Sequence, residues 1–180
     1  IEHGTITDDA NVDALLKQMI TVSSNEAANG LLSRIGNGDD KAAIATVTAI
    51  AQRYGFTSSE ELRTLTGMAS GNAVENWTST RDCGSFLSQV YAGTLVSKNA
   101  SERMMQLLLG QTRRTKIPAG VPSGVKVANK TGELAAVQND VAIVSGTHPY
   151  VLAVMSNDIS SAVAPSQITE LSRAVWDAAQ

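Results

Sequence analysis

The feature that constrains the fold most is an alternating run at residues 125–132. Apolar residues alternate with polar ones there, and the run ends in Lys130-Thr131-Gly132. A period of two predicts a buried strand, which would deliver a cation and a hydroxyl to a cleft. Because Gly132 has no side chain, a ligand could approach the backbone closely. By itself the tripeptide is equally typical of any strand that leads into a turn.

A second polar stretch, Ser23-Ser24-Asn25, begins 107 residues before Lys130. It lies between two segments with apolar residues at helical spacing, so it predicts a short connection between helices. Ser23 and Glu26 also have the spacing of a capping box, in which the serine would only begin the second helix. Taken alone, the stretch favours the capping interpretation. Paired with the Lys-Thr-Gly strand, it favours a functional one.

Most of the chain before residue 110 has apolar residues at helical spacing. This pattern predicts helices over 12–20, 25–35 and 40–54. The same spacing recurs at the end of the chain, where it predicts a closing helix over 165–179 that includes Ile168, Leu171, Val175 and Ala178. One further helix follows a cap at 78–82, with inward-facing Phe86, Leu87, Val90, Tyr91 and Leu95. Another follows a cap at Asn99-Ala100-Ser101-Glu102 and ends at Gly110.

Between these helices, Ser58-Ser59-Glu60-Glu61 has capping-box form and predicts a short helical turn. An irregular loop is predicted over 64–77. Two apolar runs at 140–145 and 150–156, joined by a Gly-Thr-His-Pro turn, predict a hairpin after the Lys-Thr-Gly strand. The order is therefore helices, a three-stranded antiparallel sheet and a covering helix, an α+β fold that we predict to be one domain over 1–180.

Composition narrows the possible partners. The formal net charge of −3 gives no electrostatic footprint for nucleic acid or an anionic membrane. The single cysteine excludes an intramolecular disulfide. The two histidines lie too far apart to indicate a zinc site, so no metal is expected.

Together the two polar stretches resemble motifs of the penicillin-recognising serine hydrolases, most closely the class A β-lactamase branch. That family carries S-x-x-K, S-D-N and K-T-G. Ser23-Ser24-Asn25 is similar to the second motif, with Ser24 where aspartate is usual, and Lys130-Thr131-Gly132 matches the third at a similar spacing. The resemblance implies an acyl-enzyme mechanism without metal or organic cofactor, acting on β-lactams or related cell-wall peptides outside the cytoplasm, at the cell surface or in the periplasm.

The resemblance also implies roles for individual residues. Three would serve catalysis: Ser23 as proton shuttle, Lys130 as the cation that polarises it, and Glu133 through its backbone N–H in the oxyanion hole. Four would bind substrate, namely Asn25, Thr131, Gly132 and Arg114. The alternatives are a solvated lysine at the end of a strand and a solvated basic turn at 113–116.

The nucleophile is the residue that the sequence does not supply. The pattern Ser-x-x-Lys occurs at Ser123 and Lys126, just before a strand, where residues three apart point to opposite faces. We therefore expect the first motif, with an N-terminal helix and two strands, to precede residue 1. The sheet edge would then be completed by that segment or by a second chain.

Three further possibilities stay open from the sequence. Glu75 is a doubtful candidate for activating the deacylating water, because it lies late in the irregular loop. Without such a glutamate the enzyme would release its acyl group slowly, as penicillin-binding peptidases do. Rival hypotheses are a non-catalytic binding module with the same fold and a truncated structural remnant.

Overall fold

The computed structural model describes residues 1–2, 4–65 and 75–180. The chain folds into two compact units, Ile1–Asp82 and Cys83–Gln180. Among the described residues, no helix combines the length and the hydropathy needed to cross a bilayer.

The first unit is built on three helices, α1 (Ala10–Thr21), α2 (Asn25–Ile35) and α3 (Asp40–Arg53). Each begins at a polar side chain that accepts backbone N–H groups of the first turn: Asp9, Ser24 and Asp39. The buried face of α2 consists of Ala27, Ala28, Leu31 and Leu32, which pack at helical spacing. All three predicted helices are confirmed.

The helical turn predicted from Ser58-Ser59-Glu60-Glu61 is wrong. The Ser58 N–H and the Ser59 hydroxyl both donate to the Asp82 carboxylate, each at 2.8 Å. Glu60 exchanges two backbone hydrogen bonds with Trp77 as an isolated antiparallel bridge. The capping groups are thus used in contacts distant in sequence. Residues 66–74 of the predicted irregular loop lie outside the described residues.

The helix α4 (Thr80–Ala92) begins at the end of the first unit, and α5 (Lys98–Leu109) follows it. The α4 prediction is confirmed except for Tyr91, which was predicted to face inward and is 52% exposed. The predicted cap of α5 is also wrong. Ser97 accepts the Ala100 N–H, whereas Ser101 is fully buried inside the helix and donates to the Leu95 carbonyl.

The sheet of the second unit is antiparallel, in the order β1 (Val127–Leu134), β2 (Val137–Val144) and β3 (Tyr150–Val154). A two-residue turn joins β1 to β2, so β2 begins three residues earlier than the apolar run at 140–145 predicted. Within the described ranges, no strand pairs with the outer edge of β1 or with that of β3.

One face of this sheet packs against a 3₁₀ helix (Ile117–Gly120) and the closing helix α6 (Ala164–Ala179). Its core consists of Ile117, Val127, Ala142, Val144 and Ile168. Leu171, predicted to lie on the buried stripe of α6, is 45% exposed, because Ala164, Ile168 and Ser172 form the buried stripe instead.

Gly120 allows the 3₁₀ helix to approach α6 closely. A Cβ atom there would lie 2.4 Å from the Thr169 carbonyl oxygen and 2.6 Å from the Ser172 Cβ. Two α6 hydroxyls bond to this segment: Ser172 Oγ donates to the Ile117 carbonyl at 2.9 Å, and Thr169 Oγ1 to the Lys116 carbonyl at 3.1 Å. The chain from Lys116 onward is therefore fixed against α6.

We predict that Gly120→Ala destabilises the protein by about 1–3 kcal/mol, because the added methyl collides with backbone that cannot move aside cheaply. Gly84→Ala is the matched control, since Gly84 lies in α4 with nothing within 4 Å of an added Cβ. It should stabilise by about 0.5–1 kcal/mol through helix propensity. Urea denaturation of the full-length protein measures both, and the same sign for both variants would contradict the close-packing argument.

Candidate active site

Ser24, and not Ser23, begins α2. The Ser24 Oγ accepts the Ala27 N–H at 3.1 Å and donates to the Glu26 carboxylate at 3.0 Å. The capping interpretation of Ser23 is thereby wrong by one residue. Ser24 caps the helix at the position where the resembling family has aspartate, another good capping residue. Ser23 is left to be explained by something other than a cap.

Ser23 adopts a left-handed backbone conformation, with φ of 60°. For a residue with a Cβ this conformation costs about 1–2 kcal/mol relative to the right-handed one. Such strain persists only where the surrounding structure imposes it, and it is enriched at functional sites. Ser23 is half-buried and Asn25 is exposed at the first position of α2, so the stretch presents both side chains around a strained turn.

Lys130 is half-buried on β1, and its Nζ donates to the Thr131 carbonyl at 2.7 Å. Burial lowers the pKa of Lys130, and the positive charge of Arg113 lowers that pKa further. A lowered pKa eases proton release from the ammonium. Lys130 is therefore not a fully solvated lysine at the end of a strand.

The outer edge of β1 carries the backbone N–H of Glu133. Its register partner is Gln138, whose N–H donates to Ser156 Oγ at 3.2 Å and whose carbonyl accepts from the same hydroxyl at 2.6 Å. Residues directly opposite in an antiparallel pair either exchange both backbone bonds or exchange neither. Glu133 is thus in a non-hydrogen-bonded pair, and its N–H points away from β2.

The Glu133 side chain lies between two cations of the basic cluster. Its carboxylate accepts from Lys116 Nζ at 2.9 Å and, through the other oxygen, from the Arg113 guanidinium. The hydrogen bond from Lys116 holds the pKa of Glu133 below its usual range. Lys116 is only 1% exposed, so the interpretation of the cluster as a solvated turn is wrong for this residue.

The side chain of Arg114, the predicted substrate cation, reaches the first residue of β1. Its guanidinium donates to the Val127 carbonyl at 3.2 Å. Arg113 and Lys116, which the sequence reasoning did not select, instead reach the strand beyond Gly132. The only feature of the sequence that could have indicated this pair is their spacing of three residues within the basic cluster. Packing does not require glycine at Gly132, because an added Cβ would make only ordinary contact with Asn139 at 3.6 Å.

Asp140 lies directly opposite Thr131 and is fully buried. Its carboxylate accepts from Asn129 Nδ2 at 3.0 Å and from the Ile117 N–H at 2.9 Å. Burial raises the pKa of Asp140 to about 6, and these two bonds only partly offset it. An aspartate in a strand offers no sequence signal for this role, because its partners are distant in the chain.

The family model described as the β-lactamase enzyme family matches residues 2–179. The chain belongs to this family. A search of curated proteins found no match.

Three solved structures illustrate the shared fold. A β-lactamase from Sphaerobacter thermophilus is 24% identical with a TM-score of 0.84, covering 93% of this chain and 62% of that one. The putative class A β-lactamase PenP from Rhodopseudomonas palustris is 26% identical with a TM-score of 0.79, covering 93% and 65%. A mutant of PBP-A in an acyl-enzyme complex with penicillin G is 25% identical with a TM-score of 0.81, covering 93% and 61%. The chain thus spans less than two thirds of each structure.

One acidic residue, Glu61, precedes the irregular loop predicted over 64–77, and another, Glu75, lies near its end. Glu75 forms an ion pair with Arg63, at 2.7 Å. Glu61 is half-buried, accepts from Asn76 Nδ2 at 3.1 Å, and has a pKa raised by burial. Asn76 also accepts the N–H groups of Leu62 and Arg63, so it fixes both ends of the loop. Sequence reasoning missed Glu61 because it precedes the loop.

The rejection of Ser123 as the family's nucleophile is confirmed by its geometry. Ser123 and Gly124 form a turn ahead of β1, and Gly124 has a φ of +91°. The lysine three residues later is therefore not one helical turn away. No group of three or more His, Cys, Asp or Glu side chains within the described ranges is arranged to hold a metal ion.

Asp140 should give stability a pH dependence. Its folded-state pKa of about 6 exceeds the reference value of 3.8, so the folded state binds more protons in between. The contribution is fully favourable below about pH 3.8 and is lost as pH rises through about 6. We expect the free energy of unfolding of the native protein, relative to Asp140→Asn, to fall by about 2 kcal/mol between pH 4 and pH 7. Chemical denaturation of the full-length protein at several pH values measures this difference.

The exposed Asp177 on α6 supplies the matched control, because Asp177→Asn makes the same change of charge on the surface. Free energies of the native protein and Asp140→Asn that run parallel across this pH range would contradict the assignment.

Proposed function

We propose that this chain is the major part of a serine acyl-transfer enzyme that is acylated by β-lactams or related cell-wall peptides. The observation that carries the proposal is the outer edge of β1. There the half-buried Lys130 lies three residues before a backbone N–H that points away from the sheet. Membership of the β-lactamase enzyme family and the acyl-enzyme complex of the related fold support it.

In the proposed reaction a serine Oγ attacks the amide carbonyl carbon, the C–O bond of the acyl-enzyme forms and the C–N bond breaks. The leaving nitrogen takes a proton through Ser23, which Lys130 polarises. The Glu133 N–H donates to the carbonyl oxygen as negative charge develops on it. Asn25 holds the substrate amide, while Thr131, Gly132 and Arg114 serve its carboxylate side.

The nucleophilic serine and its lysine are proposed to lie outside residues 1–180. Two observations support this: the only Ser-x-x-Lys lies in a turn before β1, and the solved structures extend beyond the matched part. We further propose that the same segment, or a second chain, completes the sheet. The whole enzyme is proposed to act outside the cytoplasm, where cell-wall peptides lie.

Slow release of the acyl group is the favoured second step. The Glu75 carboxylate is engaged by the Arg63 guanidinium at 2.7 Å, and this ion pair competes with any hydrogen bond to a hydrolytic water. This supports behaviour like that of a penicillin-binding peptidase more than that of a fast β-lactamase.

The proposal is tested by intact mass spectrometry of the full-length protein after incubation with penicillin G. We expect a covalent adduct, and Lys130→Ala should lower kcat/KM for its formation by about 100-fold, because a preorganised cation at the reacting centre is removed. Lys98→Ala is the matched control, since Lys98 is exposed on α5 and pairs only loosely with Glu102 at 3.9 Å. Absence of any adduct would sink the acyl-transfer proposal, and an unchanged Lys130→Ala rate would remove this lysine from it.

The neighbouring serines separate catalysis from capping. Ser24→Ala removes the cap of α2 and should cost about 1 kcal/mol of stability. Ser23→Ala leaves the cap of α2 in place, and because it removes the proposed proton shuttle we expect acylation to slow on the order of 100-fold. Acylation kinetics and thermal denaturation of the two full-length variants measure both effects. Equal acylation rates for native protein and Ser23→Ala would exclude the proton-shuttle role.

A further inference from the structure

The carboxylate of Glu133 occupies a position that suits a carboxylate ligand. Each of its two oxygens takes one cation, Lys116 on one side and Arg113 on the other. Charge-assisted hydrogen bonds to both oxygens are how proteins commonly bind ligand carboxylates. Here the ligand is a side chain of the same strand, directly after the Lys-Thr-Gly motif.

Groups other than Glu133 hold the ammonium of Lys116 and the backbone of Arg113 in place. Lys116 Nζ also donates to the Asn139 carbonyl at 3.1 Å. The Arg113 backbone N–H donates to Gln111 Oε1 at 2.8 Å, and its carbonyl accepts from Asn129 at 3.2 Å. The Lys116 ammonium and the backbone that carries Arg113 are therefore fixed by contacts that remain when the Glu133 carboxylate is removed.

The buried ammonium of Lys116 requires an anionic partner. Lys116 is 1% exposed, and a buried ammonium is costly unless it is paired with an anion. The Glu133 side chain is 30% exposed, so the position that its carboxylate occupies is reachable from solvent. Residues 131 and 133 share one face of β1, because side chains alternate along a strand. Thr131, which the family resemblance assigns to the substrate carboxylate, thus lies beside the pair.

We propose that Arg113 and Lys116 form a carboxylate-binding subsite, and that Glu133 is its internal ligand. Glu133 is thereby a specificity-determining residue that excludes a substrate carboxylate from this pair of cations. The enzyme should select acyl donors that are neutral at this position. The existence of the subsite follows from the ion pairs alone, whereas its effect on substrate choice rests on the proposed function.

Chemical rescue tests the subsite without any acyl transfer. In full-length Glu133→Ala, acetate should enter the vacated position and raise the Tm saturably, by several degrees, relative to chloride at equal ionic strength. Glu133→Gln should show no such rise, because the amide still fills the space. Glu102→Ala, which removes an exposed glutamate of α5, should show none either.

The outcomes of this experiment decide the subsite. Glu133→Ala that folds only in acetate supports it as fully as a rise in Tm. Equal Tm values in acetate and chloride, or the same rise in all three variants, would overturn it. If Glu133→Ala folds in neither salt, Glu133→Ser leaves the same opening and takes its place.

Substrate selection tests the second part of the proposal. We expect Glu133→Gln to raise the ratio of acylation rates for penicillin G over its methyl ester by roughly tenfold, because repulsion of the substrate carboxylate is removed. A ratio equal to that of the native protein would overturn the specificity role. Absence of acylation by either compound in every variant would instead refute the proposed function, and the acetate result would stand unaffected.

Discussion

The second unit depends on one buried interaction, the pair of hydrogen bonds that Asp140 accepts from Asn129 and from the Ile117 N–H. These bonds join two strands to the start of the 3₁₀ helix, among residues that are fully buried. Packing of Gly120 on α6 fixes the other end of that helix. The segment that carries Arg113 and Lys116 is thus held at its C-terminal end by a carboxylate and a helix.

At one end of the sheet, charged side chains lie where burial disfavours their charged forms. Burial works against the charged forms of both Asp140 and Lys130, and it shifts the pKa of each toward neutrality. Glu133 is an anion among the cations Arg113, Lys116 and Lys130. Its negative charge partly offsets the lowering of the Lys130 pKa. Removal of the Glu133 charge therefore lowers the pKa of Lys130 further, besides vacating the subsite.

The sequence predicted those elements that depend on local periodicity. Residues 25–35 form a helix at the predicted bounds, because both the cap and the apolar stripe lie within the segment itself. The predictions that were wrong concern groups whose partners are remote. Ser59 bonds to Asp82 rather than to its own helix turn, and Lys116 meets Glu133 17 residues later. No local pattern indicates that a lysine in a basic turn is buried. The motif residues were found by resemblance, and their chemical roles remain predictions.

The adjacent serines Ser23 and Ser24 differ in their structural roles, since only Ser24 caps a helix. Helix α2 needs a capping oxygen at Ser24, and once that need is met the preceding residue is free of the capping role. Ser23 nevertheless adopts a left-handed conformation that glycine or asparagine would adopt at lower cost. Selection for stability alone would favour one of those residues at this position. A strained serine beside a satisfied cap is what the proposed proton-shuttle role of its hydroxyl would explain.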